Sequence, residues 1–212
     1  MSEKVDKDHE EGAGRSGFSR RSFLQGMGLA ASVASLPFNV RAGRADEVGK
    51  GGGVGPGPVQ MTLKINGQAA AVEAEPRMTL LEVLREKLDL TGSKLVCDRG
   101  SCGACTVMID GQSVNSCMLL AIDAQGKDIT TIEGLVHPDG KLDRVQEGFI
   151  EHDAQQCGFC TPGFVMRAHG FLKENPKPTL EQIREGLSGN ICRCGTYTHV
   201  FAAVLAAAQK EG

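Results

Sequence analysis

The stretch Cys97-Asp98-Arg99-Gly100-Ser101-Cys102-Gly103-Ala104-Cys105, together with Cys117, decides the fold of this chain. Its cysteines follow the spacing C-x4-C-x2-C…C, which is the ligand spacing of plant-type 2Fe–2S proteins. The gap of four residues between Cys97 and Cys102 suits the wide span of a two-iron cluster. We therefore predict that Cys97, Cys102, Cys105 and Cys117 hold a first 2Fe–2S cluster.

The other four of the eight cysteines form two close pairs, Cys157/Cys160 and Cys192/Cys194. Four thiolates are the number that a second cluster needs, so we predict a second 2Fe–2S site from Cys157, Cys160, Cys192 and Cys194. The spacing leaves two alternatives open. One is structural zinc in the second set. The other is a disulfide framework, in which a bridge between Cys192 and Cys194 would be strained.

Composition narrows the class of protein. The chain has 212 residues, a formal net charge of −3, no Trp and one Tyr. Such a chain offers neither the basic field nor the stacking surfaces of a nucleic-acid-binding protein. No nucleophile is paired with a base and no open metal position is evident, so we predict no catalytic residue.

The N-terminal segment has the pattern of an export signal. Ser19-Arg20-Arg21-Ser22-Phe23-Leu24 is a twin-arginine signature, and the apolar stretch 26–36 after it is too short to span a membrane. We predict a signal peptide over 1–45, a Gly/Pro-rich linker over 46–58 and a periplasmic location. The twin-arginine machinery carries folded proteins, so the thiolates could be occupied by iron before they reach an oxidising compartment.

Residues 59–135 alternate in a way that predicts a small sheet with one helix. Asn66-Gly67 is a favoured hairpin turn, and Asp110-Gly111 is predicted to turn a second hairpin. Thr79 with Glu82 forms a capping box that opens a helix to about Leu90. The predicted strands are 61–65, 68–72, 106–109, 112–114, 119–121 and 129–132. The predicted order is two strands, a helix, the cysteine loop and then further strands. This is the order of a β-grasp ferredoxin domain.

Residues 136–212 change to helical periodicity. We predict four helices: one with Val145, Phe149 and Ile150 on its buried face, then 161–173, 179–187 and 198–209. Thr161 is predicted to cap the second helix ahead of Pro162, and Thr179 with Gln182 is predicted to form a capping box at the third. The cysteine pairs precede the second and fourth helices, where helix N-termini favour an anionic cluster. The predicted fold class is α+β, with a four-helix bundle as the second domain.

Three motifs in order carry a family resemblance. They are the first cysteine loop through Val107, Gln156-Cys157-Gly158-Phe159-Cys160-Thr161-Pro162-Gly163, and Gly189-Asn190-Ile191-Cys192-Arg193-Cys194. In these residues the chain resembles the two-cluster 2Fe–2S subunits of the molybdenum hydroxylases, the xanthine dehydrogenase and aldehyde oxidoreductase family. With the export signal, the nearest likeness is to periplasmic aldehyde oxidoreductases.

The resemblance implies a subunit that passes electrons one at a time. Its partners would be a large subunit with molybdopterin cytosine dinucleotide and an FAD-binding subunit, in a heterotrimer. Gln156 and Cys157 match positions that approach the pterin, and the second cluster would lie nearer molybdenum than the first. Two other hypotheses remain: a free periplasmic two-cluster ferredoxin-like carrier, and a metal-stapled interaction module.

The chain departs from the family pattern at two places. The usual Cys-Arg-Cys-Thr-Gly-Tyr continues here as Cys194-Gly195-Thr196-Tyr197, with Gly and Thr exchanged. Asp98-Arg99 stands where family members often carry Gly-Glu. Neither departure is expected to touch a thiolate, but both affect the cluster potentials and the local contacts to partners.

Overall fold

The computed structural model describes residues 54–210. The predicted signal peptide and the first part of the predicted linker lie outside the described residues. Contacts group these described residues into one compact unit. In the part of the chain that is described, no helix combines the length and the apolar character needed to cross a bilayer.

A five-stranded sheet forms the first part of the unit. Its strands are β1 (Val59–Ile65), β2 (Gln68–Ala74), β3 (Thr106–Ile109), β4 (Gln112–Asn115) and β5 (Asp128–Thr130). They lie side by side in the order β2-β1-β5-β3-β4. Strand β5 runs parallel to β1 and antiparallel to β3, so it joins the two hairpins into one sheet.

Both predicted hairpin turns are confirmed. Asn66 and Gly67 have φ values of 51° and 79°, and Asp110 and Gly111 have 49° and 84°. Positive φ at both central residues is what a two-residue turn with the correct twist requires. The turns fix the register of β1 against β2 and of β3 against β4.

Helix α1 begins at the predicted capping box but ends earlier than predicted. Thr79 accepts from the Glu82 backbone, and the Glu82 carboxylate accepts from the Thr79 backbone. The helix runs as Leu80–Glu82 and continues as a π-helical turn, Val83–Lys87. The Leu88 N–H donates to the Val83 carbonyl, so the helix widens and stops before the expected end at Leu90.

The predicted strand 119–121 is wrong. This segment lies between two 3₁₀ helices, Ser116–Met118 and Ala121–Ala124. Its backbone bonds go to the start of α1 instead of the sheet: Leu119 accepts from Leu80 at 2.7 Å, and Ala121 donates to Met78 at 3.0 Å. The predicted strand 129–132 is shorter than expected, because the 3₁₀ helix Ile132–Leu135 follows β5 directly.

Four helices form the second part of the unit, as predicted, and they confirm the α+β fold class. They are α2 (Arg144–Glu151), α3 (Thr161–Glu174), α4 (Leu180–Gly186) and α5 (Tyr197–Gln209). Helix α4 opens with the predicted capping box of Thr179 and Gln182. A second capping box, of Asp143 and Gln146, opens α2.

Two expectations about these helices are wrong. Ile150 is 66% exposed, because α2 presents Val145, Gly148 and Phe149 to the core and Ile150 lies off that face. Thr161 does not cap α3. The N-cap residue is Cys160, and within residues 54–210 the buried Thr161 hydroxyl has no hydrogen-bond partner.

The sheet and the helices share packing. Met108 of β3 belongs to the hydrophobic core of the helices. A Cβ at Gly170 of α3 would lie 2.5 Å from the Ser113 hydroxyl and 2.9 Å from the Met108 methyl carbon, so the glycine permits this close approach. Helix α3 therefore packs closely against β3 and β4.

Candidate metal centres

The first cysteine set lies in the loop between α1 and β3, with Cys117 in the following 3₁₀ helix. Gly100 adopts φ of 68°, and its N–H donates to the Cys117 Sγ at 3.4 Å. The Ser101 N–H donates to the Cys97 Sγ at 3.3 Å. Backbone N–H groups that face sulfur stabilise the negative charge of a bound cluster.

Side chains at the end of β4 and in the 3₁₀ helix after it hold this loop in place. The Asn115 side-chain amide donates to the Gly100 carbonyl at 3.0 Å, and the Ser116 hydroxyl donates to the Cys105 carbonyl at 2.7 Å. Ser116 is fully buried. The backbone of the loop is therefore held by residues outside it.

The second cysteine set lies at the starts of α3 and α5, as predicted. Cys160 is the N-cap residue of α3, while Cys192 precedes α5 and donates its N–H to the Tyr197 hydroxyl at 2.9 Å. The Tyr197 ring packs edge-on against Phe164 of α3 with centroids 6.1 Å apart. This aromatic contact joins the two helix starts that carry the pairs.

The thiols of each set lie in mutual contact as pairs. The side-chain pairs are Cys97/Cys102, Cys105/Cys117, Cys157/Cys194 and Cys160/Cys192. In the described residues, no three Cys, His, Asp or Glu side chains surround one point as a single metal ion requires. Each iron of a 2Fe–2S cluster takes two protein ligands, so the paired thiols fit such a cluster better than tetrahedral zinc.

Burial and hydrogen bonds shift the pKa values of four of the thiols, two downward and two upward. The backbone N–H of Arg99 is the main reason that the pKa of Cys97 is lowered to about 7. Burial opposes ionisation of Cys192, but hydrogen bonds led by Thr196 outweigh it and lower its pKa to about 7. Burial raises the pKa of Cys105 and of Cys160 to about 12. Iron binding must therefore displace protons from the buried thiols.

One departure from the family pattern does touch a ligand, which corrects the expectation. The Thr196 hydroxyl lies 3.2 Å from the Cys192 Sγ. Gly195 has φ of 82°, a conformation that glycine adopts without strain and that places Thr196 directly before α5. The sequence feature that could have indicated this contact is a hydroxyl residue, Thr196, four positions after Cys192 at the start of a predicted helix.

The two cysteine sets meet at one cavity of 260 Å³. Cys102 and Ala104 of the first loop line it together with Cys157, Phe159 and Cys160 of the second set. The two loops are also bonded directly, because the Ile191 N–H donates to the Cys102 carbonyl at 3.0 Å. Sequence reasoning did not find this junction, nor the buried Asn190 beside it.

Exposed groups surround this cavity. Val96, Phe159 and Ile191 are 51–54% exposed although they are large and apolar. The thiols of Cys157 and Cys194 are exposed as well, and so is Gln156 beside Cys157. We call Val96, Phe159 and Ile191 the apolar rim. A surface of this kind indicates an interaction site.

Models of two domain families match this chain. One, described as a 2Fe–2S iron–sulfur cluster binding domain, matches residues 63–130, and the other, described as a 2Fe–2S binding domain, matches residues 131–205. The Escherichia coli (strain K12) aldehyde oxidoreductase iron–sulfur-binding subunit PaoA is 46% identical over 159 residues, which are 68% of this chain and 69% of the relative.

Solved structures agree with these matches. Quinoline 2-oxidoreductase from Pseudomonas putida 86 is similar with a TM-score of 0.69 and 43% identity, over 72% of this chain and 94% of that one. The aldehyde oxidoreductase from Desulfovibrio desulfuricans ATCC 27774 gives 0.66 and 42%, over 70% of this chain and 17% of that one. This chain belongs to the 2Fe–2S iron–sulfur electron-transfer subunits of the molybdenum hydroxylases, the family of the aldehyde oxidoreductases and xanthine dehydrogenases.

Proposed function

We propose that this chain is the electron-transfer subunit of a periplasmic, molybdenum-dependent aldehyde oxidoreductase. Each of its two thiol sets would hold a 2Fe–2S cluster, which when bound takes up and releases one electron at a time. The partners would be a large subunit with molybdopterin cytosine dinucleotide and a subunit with FAD, in a heterotrimer. The chain itself would carry electrons and hold no catalytic residue.

One observation carries this proposal: the two thiol sets lie against one cavity, in loops joined by the bond from Ile191 to Cys102. A reaction that removes two electrons from a substrate needs successive one-electron sites if it is to deliver them to a distant acceptor. Two four-thiol sites in direct backbone contact meet that need. Two unrelated structural metal sites would not require such contact.

The proposed direction of electron flow comes from the family resemblance, and the exposure of the second set supports it. Cys157 and Cys194 are exposed at the surface, with the exposed Gln156 beside Cys157. These positions suit an approach of the pterin from a partner subunit, so the second set would receive electrons first. The first set, with Cys97 partly exposed, would pass them on to FAD.

The apolar rim favours a subunit over the free carrier. A carrier that remains in solution would leave Val96, Phe159 and Ile191 in water, at a cost of roughly 25 cal/mol per Å² of apolar surface that a partner would cover. The rim also borders the exposed thiols, which a partner would shield from solvent. We therefore expect a large protein surface to cover the rim.

Metal analysis and low-temperature EPR after dithionite reduction test the cluster content. We expect about four irons per chain and two distinct rhombic 2Fe–2S signals. Stoichiometric zinc with a single signal would contradict the proposal for the second set. Replacing Cys192 by serine should remove one signal and leave the other, which assigns the signals to the two sets.

Purification from the native source tests assembly. We expect the chain to copurify with molybdenum and flavin, and Phe159→Asp to release it from the complex with both EPR signals retained. Leu180→Asp, at an exposed leucine of α4, is the matched control. Native protein that runs alone without molybdenum or flavin would favour the free carrier instead.

Export is tested by replacing Arg20 and Arg21 with lysine in the full chain. The twin-arginine machinery reads the arginine pair, so the doubly substituted protein should accumulate in the cytoplasm. Cell fractionation with immunoblotting measures this. Continued export of the variant would contradict the proposed periplasmic route.

A further inference from the structure

Asn190 joins the two cysteine loops through its side chain. It directly precedes the motif Ile191-Cys192, and its Nδ2 donates to the Gly103 carbonyl at 2.9 Å, across 87 positions of sequence. Gly103 lies between Cys102 and Cys105 of the first set. Asn190 is only 5% exposed, so this amide bond is made in a buried environment where its loss is costly.

The Gly103 carbonyl, which accepts this bond, is itself held in place within the first loop. The Gly103 carbonyl also accepts from the Thr106 N–H at 3.2 Å and from the Thr106 hydroxyl at 2.6 Å. Gly103 has φ of 67°, and a Cβ there would lie 2.5 Å from the Asn190 Nδ2. A glycine is therefore needed for the amide to reach the carbonyl.

Helix α3 rests on the same carbonyl. A Cβ at Gly163, in the first turn of α3, would collide with the Gly103 carbonyl oxygen and would lie 2.9 Å from the Ala104 Cα. Helix α3 begins immediately after Cys160, so this contact fixes Cys160 against the first loop. Both cysteine pairs of the second set are therefore held in place relative to Gly103. Gly163 makes the contact for Cys157/Cys160, and Asn190 makes it for Cys192/Cys194.

The backbone of Asn190 is held from the other side. Its N–H donates to the Leu187 carbonyl at 3.0 Å, at the C-terminal end of α4. Its side chain lines a polar cavity of 330 Å³ together with Thr106 and Arg167. The Arg167 guanidinium donates to the Gly186 carbonyl at 2.7 Å, which closes this end of α4 onto α3. The backbone of Asn190 is therefore fixed to α4 while its side chain is fixed to the first loop, so the residue cannot move with one of them away from the other.

We infer that Asn190 is a positioning residue that fixes the spacing between the two thiol sets, and with it the exchange of electrons between the two centres. The inference rests on the proposed function, since both sets must hold 2Fe–2S clusters. Electron exchange falls steeply as the separation of the centres grows. A side chain that clamps the two loops therefore controls the rate of the internal step without touching either thiol set.

The test uses the loaded full chain with Asn190→Ala and the isosteric Asn190→Asp, which removes the amide donor. In the fully reduced protein, the magnetic interaction between the two centres splits and broadens their EPR signals and weakens with distance. We expect both variants to keep two signals and full iron content but to lose part of this splitting. Amide hydrogen exchange at Ile191 should rise about tenfold, as the loss of one neighbouring buried hydrogen bond implies.

Asn115→Ala is the matched control. Its amide bonds to Gly100 at 3.0 Å, a glycine carbonyl of the same first loop, but it does not cross to the second set. We expect the splitting between the centres to be retained in this variant. Equal loss of splitting in Asn115→Ala, or unchanged splitting in both Asn190 variants, would overturn the inference.

Failure of the inference and failure of the proposed function give different results. Absence of 2Fe–2S signals from the unaltered chain would contradict the proposed function itself. Two normal signals in the unaltered chain but loss of iron from both centres in both Asn190 variants would overturn only the inference. In that case Asn190 would be needed to build the centres and not to space them.

Discussion

Replacement of Thr196 by valine should lower the reduction potential of the second 2Fe–2S centre and leave the first unchanged. The Thr196 hydroxyl lies 3.2 Å from the Cys192 Sγ, and valine has nearly the same shape without the donor. A bound cluster gains one negative charge on reduction. A hydroxyl that donates to a ligand sulfur therefore stabilises the reduced form more than the oxidised form.

The size of the shift can be worked from the bond. A hydrogen bond to a charged group contributes about 1.5–3 kcal/mol. Only the part of this hydrogen-bond energy that differs between the oxidised and the reduced cluster shifts the reduction potential. If this part is about half, or roughly 0.75–1.5 kcal/mol, the potential falls by about 33–65 mV for a one-electron centre. Thr196→Ser keeps the hydroxyl and should retain most of the original reduction potential.

An EPR-monitored redox titration of the loaded chain measures both centres in one sample. The first centre is an internal control, and Thr161→Val is a matched one, because its buried hydroxyl lies beside Cys160 without a partner among the described residues. We expect Thr161→Val to leave the reduction potential of the second centre unchanged. An unchanged second potential in Thr196→Val, or an equal fall in Thr161→Val, would refute the reasoning.

Three further predictions concern stability at pH 7, the first two measured by chemical denaturation and the third by thermal unfolding. Gly148→Ala should lower the free energy of unfolding by about 1–3 kcal/mol, because its Cβ would lie 2.6 Å from the Ala203 carbonyl oxygen where α2 meets α5, whereas Gly189→Ala meets no atom within 4 Å and should have little effect. Asp143→Ala should cost about 2 kcal/mol, since it removes both the N-cap of α2 and the hydrogen bond to His169 at 3.0 Å; a loss well under 1 kcal/mol would argue against this. Removal of iron by a chelator should lower the unfolding midpoint of the whole unit, as thermal scans before and after reloading would detect.

Features that depend on neighbours in sequence were the ones that could be predicted. The capping boxes at Thr79 and Thr179 and the turn Asn66-Gly67 are closed by residues within a few positions, so their sequence identifies them. The four helices and the α+β class followed in the same way. The cysteine spacing predicted two sets of four, and each set pairs its thiols in space.

Features that depend on distant partners could not be predicted. Strand 119–121 failed because its carbonyls and N–H groups bond to the start of α1, which alternation alone does not reveal. The predicted cap at Thr161 was wrong for a local reason, because the backbone of Cys160 turns into the helix one residue earlier. The junction of Asn190 with Gly103 spans 87 positions and leaves no periodic signal.

Met108 has a consequence for how this part of the protein can be divided. A strand residue that fills the core of the helices leaves an apolar gap in one half and an exposed side chain in the other if the chain is cut between them. Gly170 would then face open solvent instead of β3 and β4. The two parts are accordingly expected to unfold together, and a chain cut between them would expose apolar surface in both.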